Sequence, residues 1–433
     1  MKKFLAGIGL IVCSYQSMSQ TLRLSDAINI ALKNSLDLQL FKNRVEANAT
    51  LNNYGVAGGL PLISAVATDD EQLSSIDQKF SDPSRNTQRS NAASNSLNAS
   101  VSASMILYNG MSVVATKRRL DQLEKQSVQY LNSQVQNTIA SIMSTYFDIV
   151  RQQSYTRTIS ESIEVSKLRL TILETQQSVG LANNADIFQA KLDLNALNQS
   201  LQSQLLIIEQ AKTNLLTLLT LKPDSLINIQ DTIIIDEAIL LDSVLNNVQM
   251  VNADILAAQQ QVRINELIVR ETAALRYPAV RVNAAYNYNR NQNAAGFSLL
   301  NQSYGPSLGV NLAIPIYNGS ALKRQQRVAE INTKNAQLSK DILLRDYTSN
   351  AVKTFQSYAN TLKQLKVEQE NYKVSRQLLN LVLERFRLRV ATIIDVREAQ
   401  RSYEDAGFRL INLAYAAKAS EIELKRLSNT LSF

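Results

Sequence analysis

The chain has no histidine, and its only cysteine, Cys13, lies near the amino terminus. With neither imidazole nor thiol beyond that point, Ser-His and Cys-His nucleophilic catalysis and Cys/His zinc sites are excluded together. Twelve glycines are few for 433 residues. None of them forms a phosphate loop or a G-x-G-x-x-G turn after a strand pattern. After the amino-terminal segment, no stretch stays apolar for the 18 or more residues that a membrane-spanning helix requires. A dense basic block is also missing, so the sequence carries no nucleic-acid footprint.

The first 19 residues, "MKKFLAGIGLIVCSYQSMS", combine two lysines, an apolar run from Phe4 to Cys13 and a small-x-small site at Ser17-Met18-Ser19. This is the pattern of a secretory signal peptide, too short to span a bilayer. Val12 is larger than the residue that lipid-attachment sites usually have before the cysteine, which argues against lipidation of Cys13. Loss of Lys2 and Lys3 with the leader lowers the formal charge from +8 to +6. An exported chain without a membrane helix is soluble in the envelope, secreted, or embedded as a β-barrel.

What the chain does contain is written twice. "LYNGMS" at 107–112 and "IYNGSA" at 316–321 place the same Tyr-Asn-Gly tripeptide 209 residues apart. The same offset relates Asp186 to Asp395, Ala190 to Ala399 and Leu201 to Leu410. Upstream, an offset of 217 relates Pro61 to Pro278 and Asp37 to Asp254. Such a period indicates an internal duplication, with a first repeat over 20–230 and a second over 231–433. Each repeat reads as helix, proline, strand, loop, strand, Asn-Gly, long helix, turn, second helix.

The strands are expected from period-two alternation. Leu97, Ala99, Val101, Ala103, Met105 and Leu107 alternate with asparagine and serine; so, against more mixed partners, do Val280, Val282, Ala284, Tyr286 and Tyr288, and Leu308, Val310, Leu312, Ile314 and Ile316. A weaker strand is expected near "LISAVAT". Each would have about the ten residues of a tilted transmembrane strand, one face apolar and one polar. The segments 69–91 and 289–303 read as polar, exposed loops. Pro61 and Pro278 end a helix before a strand, and Ser112 or Ser320 is placed to cap the long helix that follows Asn-Gly.

The helices have another period. Ile187, Leu194, Leu201, Ile208 and Leu215 recur every seven residues, as do Val396, Tyr403, Leu410, Ala417 and Leu424. A sustained heptad means supercoiled packing. The long helix carries two adjacent stripes, Ile139-Ile142-Tyr146-Ile149 and Ala140-Met143-Phe147-Val150, enough to contact neighbours on two sides. The fold class is therefore mainly α, with a small membrane β-part of four strands. Four strands cannot close a barrel, and an open edge is not tolerated in hydrocarbon. Closure requires a ring of copies. Two would give an eight-stranded barrel filled by side chains, and three a twelve-stranded one wide enough to be hollow. Faces rich in serine and asparagine favour the wet interior.

This arrangement resembles the TolC family of outer-membrane efflux proteins, through the duplication, "LPLIS"/"YPAVR", the two Tyr-Asn-Gly junctions, and the turns "SVGLANNADIFQA" and "LRVATIIDVREAQ". The resemblance implies a homotrimer in the cell outer membrane, with a twelve-stranded barrel and a long α-helical coiled-coil barrel in the periplasm. It implies a segment near "LKPDSLINIQDTIIID" that belts the tunnel, and partners consisting of a periplasmic adaptor and an inner-membrane pump, with outer-membrane lipid around the strands. The implied function is a passive conduit for efflux or type I secretion. No enzyme activity, cofactor, metal or nucleic acid is expected. A periplasmic coiled-coil tether without a pore is the alternative; it would have no use for four amphipathic strands.

The resemblance also places site residues. The family's acidic ring maps onto Asp395 and Glu398, as a pore constriction. Its tip lock pairs an aspartate, here Asp186, with a tyrosine and an arginine. Phe386 and Ala391 stand at those positions, so the lock does not carry over, although Arg387 and Arg389 lie nearby as substitutes. The adaptor-docking turns map onto Gly180 and Leu181, and onto Arg389 and Val390. Asp186 and Asp395 have a simpler reading as well, because Asn183 and Thr392 stand three residues before them in a helix-capping pattern.

Overall fold

The computed structural model describes residues 21–295 and 298–431. The expected signal peptide, with Cys13, lies outside the described residues. In chain order the elements are α1 (Leu24–Asn34), α2 (Leu36–Leu51), β1 (Leu62–Gln78), a short 3-10 turn (Pro83–Arg85), β2 (Thr87–Asn109), α3 (Ser112–Ser178), α4 (Asn184–Leu218), α5 (Leu241–Met250), α6 (Ala253–Ala274), β3 (Ala279–Asn293), β4 (Leu300–Ala313), α7 (Ala321–Arg387) and α8 (Ile393–Leu427). Helices α3 and α7 each have 67 residues, and α4 and α8 each have 35. Every boundary of α7 and α8 lies 209 residues after its counterpart in α3 and α4. At 1.5 Å per residue, α3 and α7 are each about 100 Å long. No helix among the described residues is long and apolar enough to cross a membrane.

The chain forms two compact units, and each takes residues from both halves of the sequence. One contains 40–132 and 253–345 and holds the sheet. The other holds the carboxy-terminal parts of α3 and α7 with all of α4 and α8.

In the sheet-bearing unit, the four strands pair antiparallel in the order β1-β2-β3-β4, so β1 and β4 are bare edges. The register brings the apolar positions onto one face. Ala65, Val101, Tyr286 and Pro306 form one row across the sheet, and Ile63, Ala103, Ala284 and Leu308 form the next. The opposite face is a ladder of hydroxyls and amides. Ser64 bonds Ser102 at 3.1 Å, Asn287 donates to Ser307 at 3.1 Å, and Ser96 donates to Asn291 at 2.7 Å.

The strand expectations need correction. The strands are 14 to 23 residues long instead of about ten. Most of the polar segment 69–91 is strand, with only the tip near 79–86 looping out. The expected loop 289–303 shortens in the same way, since β3 runs to Asn293 and β4 starts at Leu300. Polar side chains on both faces hide the alternation there, while backbone pairing continues. At the other end, Ile314 and Ile316 fall beyond β4. Leu107 does not extend the apolar row either. The β2–β3 register shifts between Ile106 and Tyr108. This bulge leaves Leu107 unpaired and sets Tyr108 opposite Val280.

At the strand-to-helix junctions both glycines adopt left-handed backbone, Gly110 at φ +67° and Gly319 at φ +64°. The following residues, Met111 and Ser320, are left-handed as well. The expected serine caps are not used. Ser112 is already the first helical residue, and Asn109 accepts the Val113 N–H through its side chain at 3.3 Å. Asparagine reaches back over the tight double-left-handed turn that separates it from the helix.

The other unit is packed around the middle of α3. Both of its stripes are buried, and they pack with Ala27, Ile28 and Ala31 of α1, Ala211 and Leu215 of α4, and Ile422 of α8. In the α4 and α8 heptads, Ile187, Ile208, Leu215, Val396, Tyr403, Ala417 and Leu424 are buried, while Leu194, Leu201 and Leu410 are half-buried. The segment 219–240, which lacks helix, crosses three helices of this unit. Gln153 of α3 donates to the Ile229 carbonyl at 2.9 Å, Tyr358 of α7 to the Asp236 carbonyl, and Asp236 pairs with Lys425 of α8 at 2.9 Å.

The two junction glycines differ in surroundings. A Cβ on Gly110 would lie 2.6 Å from the Ala274 carbonyl oxygen and 2.8 Å from the Tyr277 Cβ, whereas one on Gly319 would meet nothing within 4 Å. Gly319→Ala should therefore cost only the left-handed strain, about 1 kcal/mol. Gly110→Ala should cost several times more, because backbone must move. Outer-membrane yield and the thermal midpoint of the helical circular-dichroism signal check this; equal losses would contradict the packing difference.

Candidate functional site

The expected site residues cluster at the α3–α4 and α7–α8 turns. Both long helices end on the same hydrogen-bond pattern. Gly180 N–H donates to the Gln177 carbonyl and Leu181 N–H to that of Gln176, each at 2.8 Å; Arg389 N–H donates to Phe386 at 3.0 Å and Val390 N–H to Arg385 at 2.8 Å. This closure needs a left-handed residue after the helix. Gly180 fills it at φ +74° and Arg389 at φ +65°. Arginine accepts strain that glycine avoids, and its guanidinium reaches the Leu181 carbonyl at 3.4 Å. The turns are joined there. Leu181 and Val390 are both exposed at their tips.

Each turn then starts a capped helix. Asn183 accepts the Asp186 N–H at 2.8 Å. Thr392 and Asp395 form a full capping box: Asp395 N–H donates to the Thr392 hydroxyl at 3.2 Å, and the carboxylate accepts the Thr392 N–H at 2.7 Å and its hydroxyl at 2.8 Å. These bonds, the backbone one foremost, hold the Asp395 carboxyl below its ordinary range. Asp395 and Glu398 are exposed one turn apart on α8. Among the described residues, no ion pair joins Asp186 to Arg387 or Arg389. Arg387 is exposed, and Phe386 is buried in a cluster with Leu383, Val396 and Tyr403.

Sequence reasoning missed a polar layer next to the turns. On α3, Ser162, Ser166 and Arg169 occupy the core positions that precede Leu173, all of them buried. Arg169 is 1% exposed and pairs with Asp193 of α4 at 2.8 Å; Asp193 also lies 3.5 Å from Arg397 of α8. Burial pulls the Arg169 guanidinium below arginine's usual range, and Asp193 offsets part of that. Gln400 donates to the Ser162 carbonyl at 3.3 Å and the Ser166 hydroxyl at 3.1 Å. Tyr403 donates to Glu161, and Tyr372 lies stacked on it with the hydroxyls 2.8 Å apart. Burial first, then the Glu161 bond, pushes the Tyr403 hydroxyl well above its usual range. The small serines at 162 and 166, spaced by one helical turn, were the signal that this seam leaves room for polar groups.

Arg169, Asp193, Arg397, Glu398, Arg401 and Glu404 line a groove of about 580 Å³ between α4 and α8. Charges of both signs converge there, with no nucleophile-base pair. No metal-holding group of acids occurs among the described residues. The arrangement fixes helices against one another and presents charge.

Residues 244–430 match the sequence model of the family described as outer membrane efflux protein. Over that part the chain is similar to outer membrane efflux proteins. The outer membrane protein TolC of Vibrio cholerae is 24% identical over 365 residues, 80% of each chain. Among solved structures, the outer membrane protein VceC from Vibrio cholerae superposes with a TM-score of 0.78 at 18% identity, covering 94% of this chain and 96% of that one. The Campylobacter jejuni CmeC outer membrane channel gives 0.77 at 17% identity, covering 94% and 85%. The fold of these outer-membrane proteins therefore extends over nearly all of this chain.

Two outcomes follow from the local chemistry. Asp193→Ala strands a buried guanidinium and should cost about 3–5 kcal/mol, whereas Arg169→Met removes the charge itself and should cost less. Thermal midpoints in detergent rank the two variants, and the reverse order would contradict the pairing. The Asp395 carboxyl, lowered in the folded state, contributes stability that is complete above its unfolded value and is lost as pH falls through the folded one. Protection of the first-turn amides of α8, taken relative to their intrinsic exchange rates at each pH, should therefore fall below about pH 4. Asp395→Asn should show that loss of protection already at neutral pH.

Proposed function

We propose that three copies of this chain form a passive duct through the outer membrane, with the helical part in the periplasm. The carrying observation is the four-stranded sheet, apolar on one face and lined with serine and asparagine on the other, with both edges bare. In hydrocarbon, bare edges must pair, and three copies place β4 of one beside β1 of the next. The apolar face then meets lipid and the hydroxyl-amide face meets water. A tether without a pore leaves this sheet without a purpose. No chemical step is needed; the reading is transport driven by partners.

Those partners are a periplasmic adaptor and an inner-membrane pump. The docking turns are Gly180-Leu181 and Arg389-Val390, where exposed apolar side chains stand on rigid helix ends. Because arginine replaces glycine in the second turn, the two turns offer unequal surfaces. Asp186 and Arg387 have no ion-pair partner within the described residues and are suited to contacts between copies at the tip. Asp395 and Glu398 form the constriction, six carboxylates in three copies. The Thr392 cap orients Asp395 at the helix start and is compatible with that role.

The protein extracted in detergent should be a trimer that conducts in a planar bilayer. A trivalent cation added from the helical side should block it, since rings of carboxylates concentrate cations. Asp395→Ala with Glu398→Ala should abolish block and leave the trimer intact. Block at unchanged concentration would remove these acids from the constriction. A stable folded monomer would remove the duct.

A further inference from the structure

The polar face of the sheet is almost without charge. Past the row of Arg281, β3 sets Asn283, Asn287 and Asn289 on this face, opposite Ser104, Ser100 and Asn98 of β2. The β4 residues in the same rows, from Asn311 to Ser303, are neutral as well. Charged side chains stand only at the two limits. Arg281 pairs with Ile106 and Asn311, and Asp70 pairs with Ser96. Ten residues along β2 separate these rows, about 33 Å at 3.3 Å per residue. Arg281 is exposed and makes no ion pair among the described residues. The sequence holds no Asp or Glu between Glu271 and Glu330, so the β3–β4 hairpin brings no acid to its level.

We infer that Arg281 is a specificity-determining residue of the duct, forming a ring of three guanidiniums at the helical end of the strand-lined section and binding solutes with several negative charges. The inference rests on the proposed twelve-stranded assembly. In that assembly the hydroxyl-amide face is the wall, and an arginine on it points into the water path. Guanidinium forks suit carboxylate and phosphate groups, and rings of arginine favour anions in pores. The neutral serine and asparagine rows beyond it offer no competing fixed charge until Asp70. Multivalent anions should therefore dwell at this ring, whereas neutral solutes should pass without delay.

Single trimers in a planar bilayer test this, with inositol hexakisphosphate added to the strand side as the probe. The wild-type duct should be blocked reversibly, and block should weaken at 1 M salt, where the screening length falls to about 3 Å. Arg281→Gln and Arg281→Ser should each raise the half-blocking concentration about tenfold or more, with unit conductance nearly unchanged. Arg281→Lys should retain block, since the charge remains. A conducting wild-type duct that the probe does not block, or block of both neutral variants at the wild-type concentration, would overturn the assignment of Arg281 while leaving the duct intact. A wild-type protein that forms no channel at all would overturn the duct, and this ring with it.

Discussion

An unpaired strand edge cannot be left in hydrocarbon, because each free N–H and C=O there costs several kcal/mol. The rest of the architecture depends on that constraint. The sheet has four strands in one chain, and its register gathers the apolar rows on one side, so only the β1 and β4 edges are left bare. Closure by further copies satisfies the backbone without adding a strand to the chain. The long helices then need an apolar seam on more than one side, which is what the two stripes of α3 supply.

The two repeats keep their backbone plan and differ in what surrounds it. Gly110 and Gly319 share one left-handed geometry, yet only Gly110 is pressed against the end of α6. Gly180 and Arg389 close the same turn, and only arginine reaches across to the other turn. The polar layer shows the same division of labour. Arg169 on α3 draws its acid from α4 and shares it with Arg397 on α8, so one carboxylate ties three helices. Sliding by one turn would leave the buried guanidinium without a partner, which penalises other registers.

Most of this plan was legible in the sequence. The element order, the 209-residue spacing and the paired stripes of α3 follow from periodicity, which depends on burial of one face. The strand ends were not legible, because residues 69–74 and 76–78 of β1 keep their backbone pairing with β2 while mostly polar on both faces. Leu107 continued the alternation on paper and lost it to a bulge, a feature set by the partner strand. Asn109 replaced the expected serine cap because two successive left-handed residues reverse the chain before the helix. Arg169 was missed since a charge on an apolar stripe looks like an interruption until its distant partner is known. At the tip, the capping box at Thr392 and Asp395 was legible as a local pattern, three residues apart.

The equal lengths of α3 and α7, and of α4 and α8, bear on symmetry. In the proposed ring of three chains, six helix pairs of one size would give nearly sixfold repetition with threefold chemistry. The proposed adaptor would then meet two alternating kinds of seat, one closed by Gly180 and one by Arg389. Six identical subunits would have had to change all seats at once. Tandem fusion lets one kind of seat specialise while the other keeps the fit, and it brings three bodies together instead of six, at a smaller entropic cost of assembly.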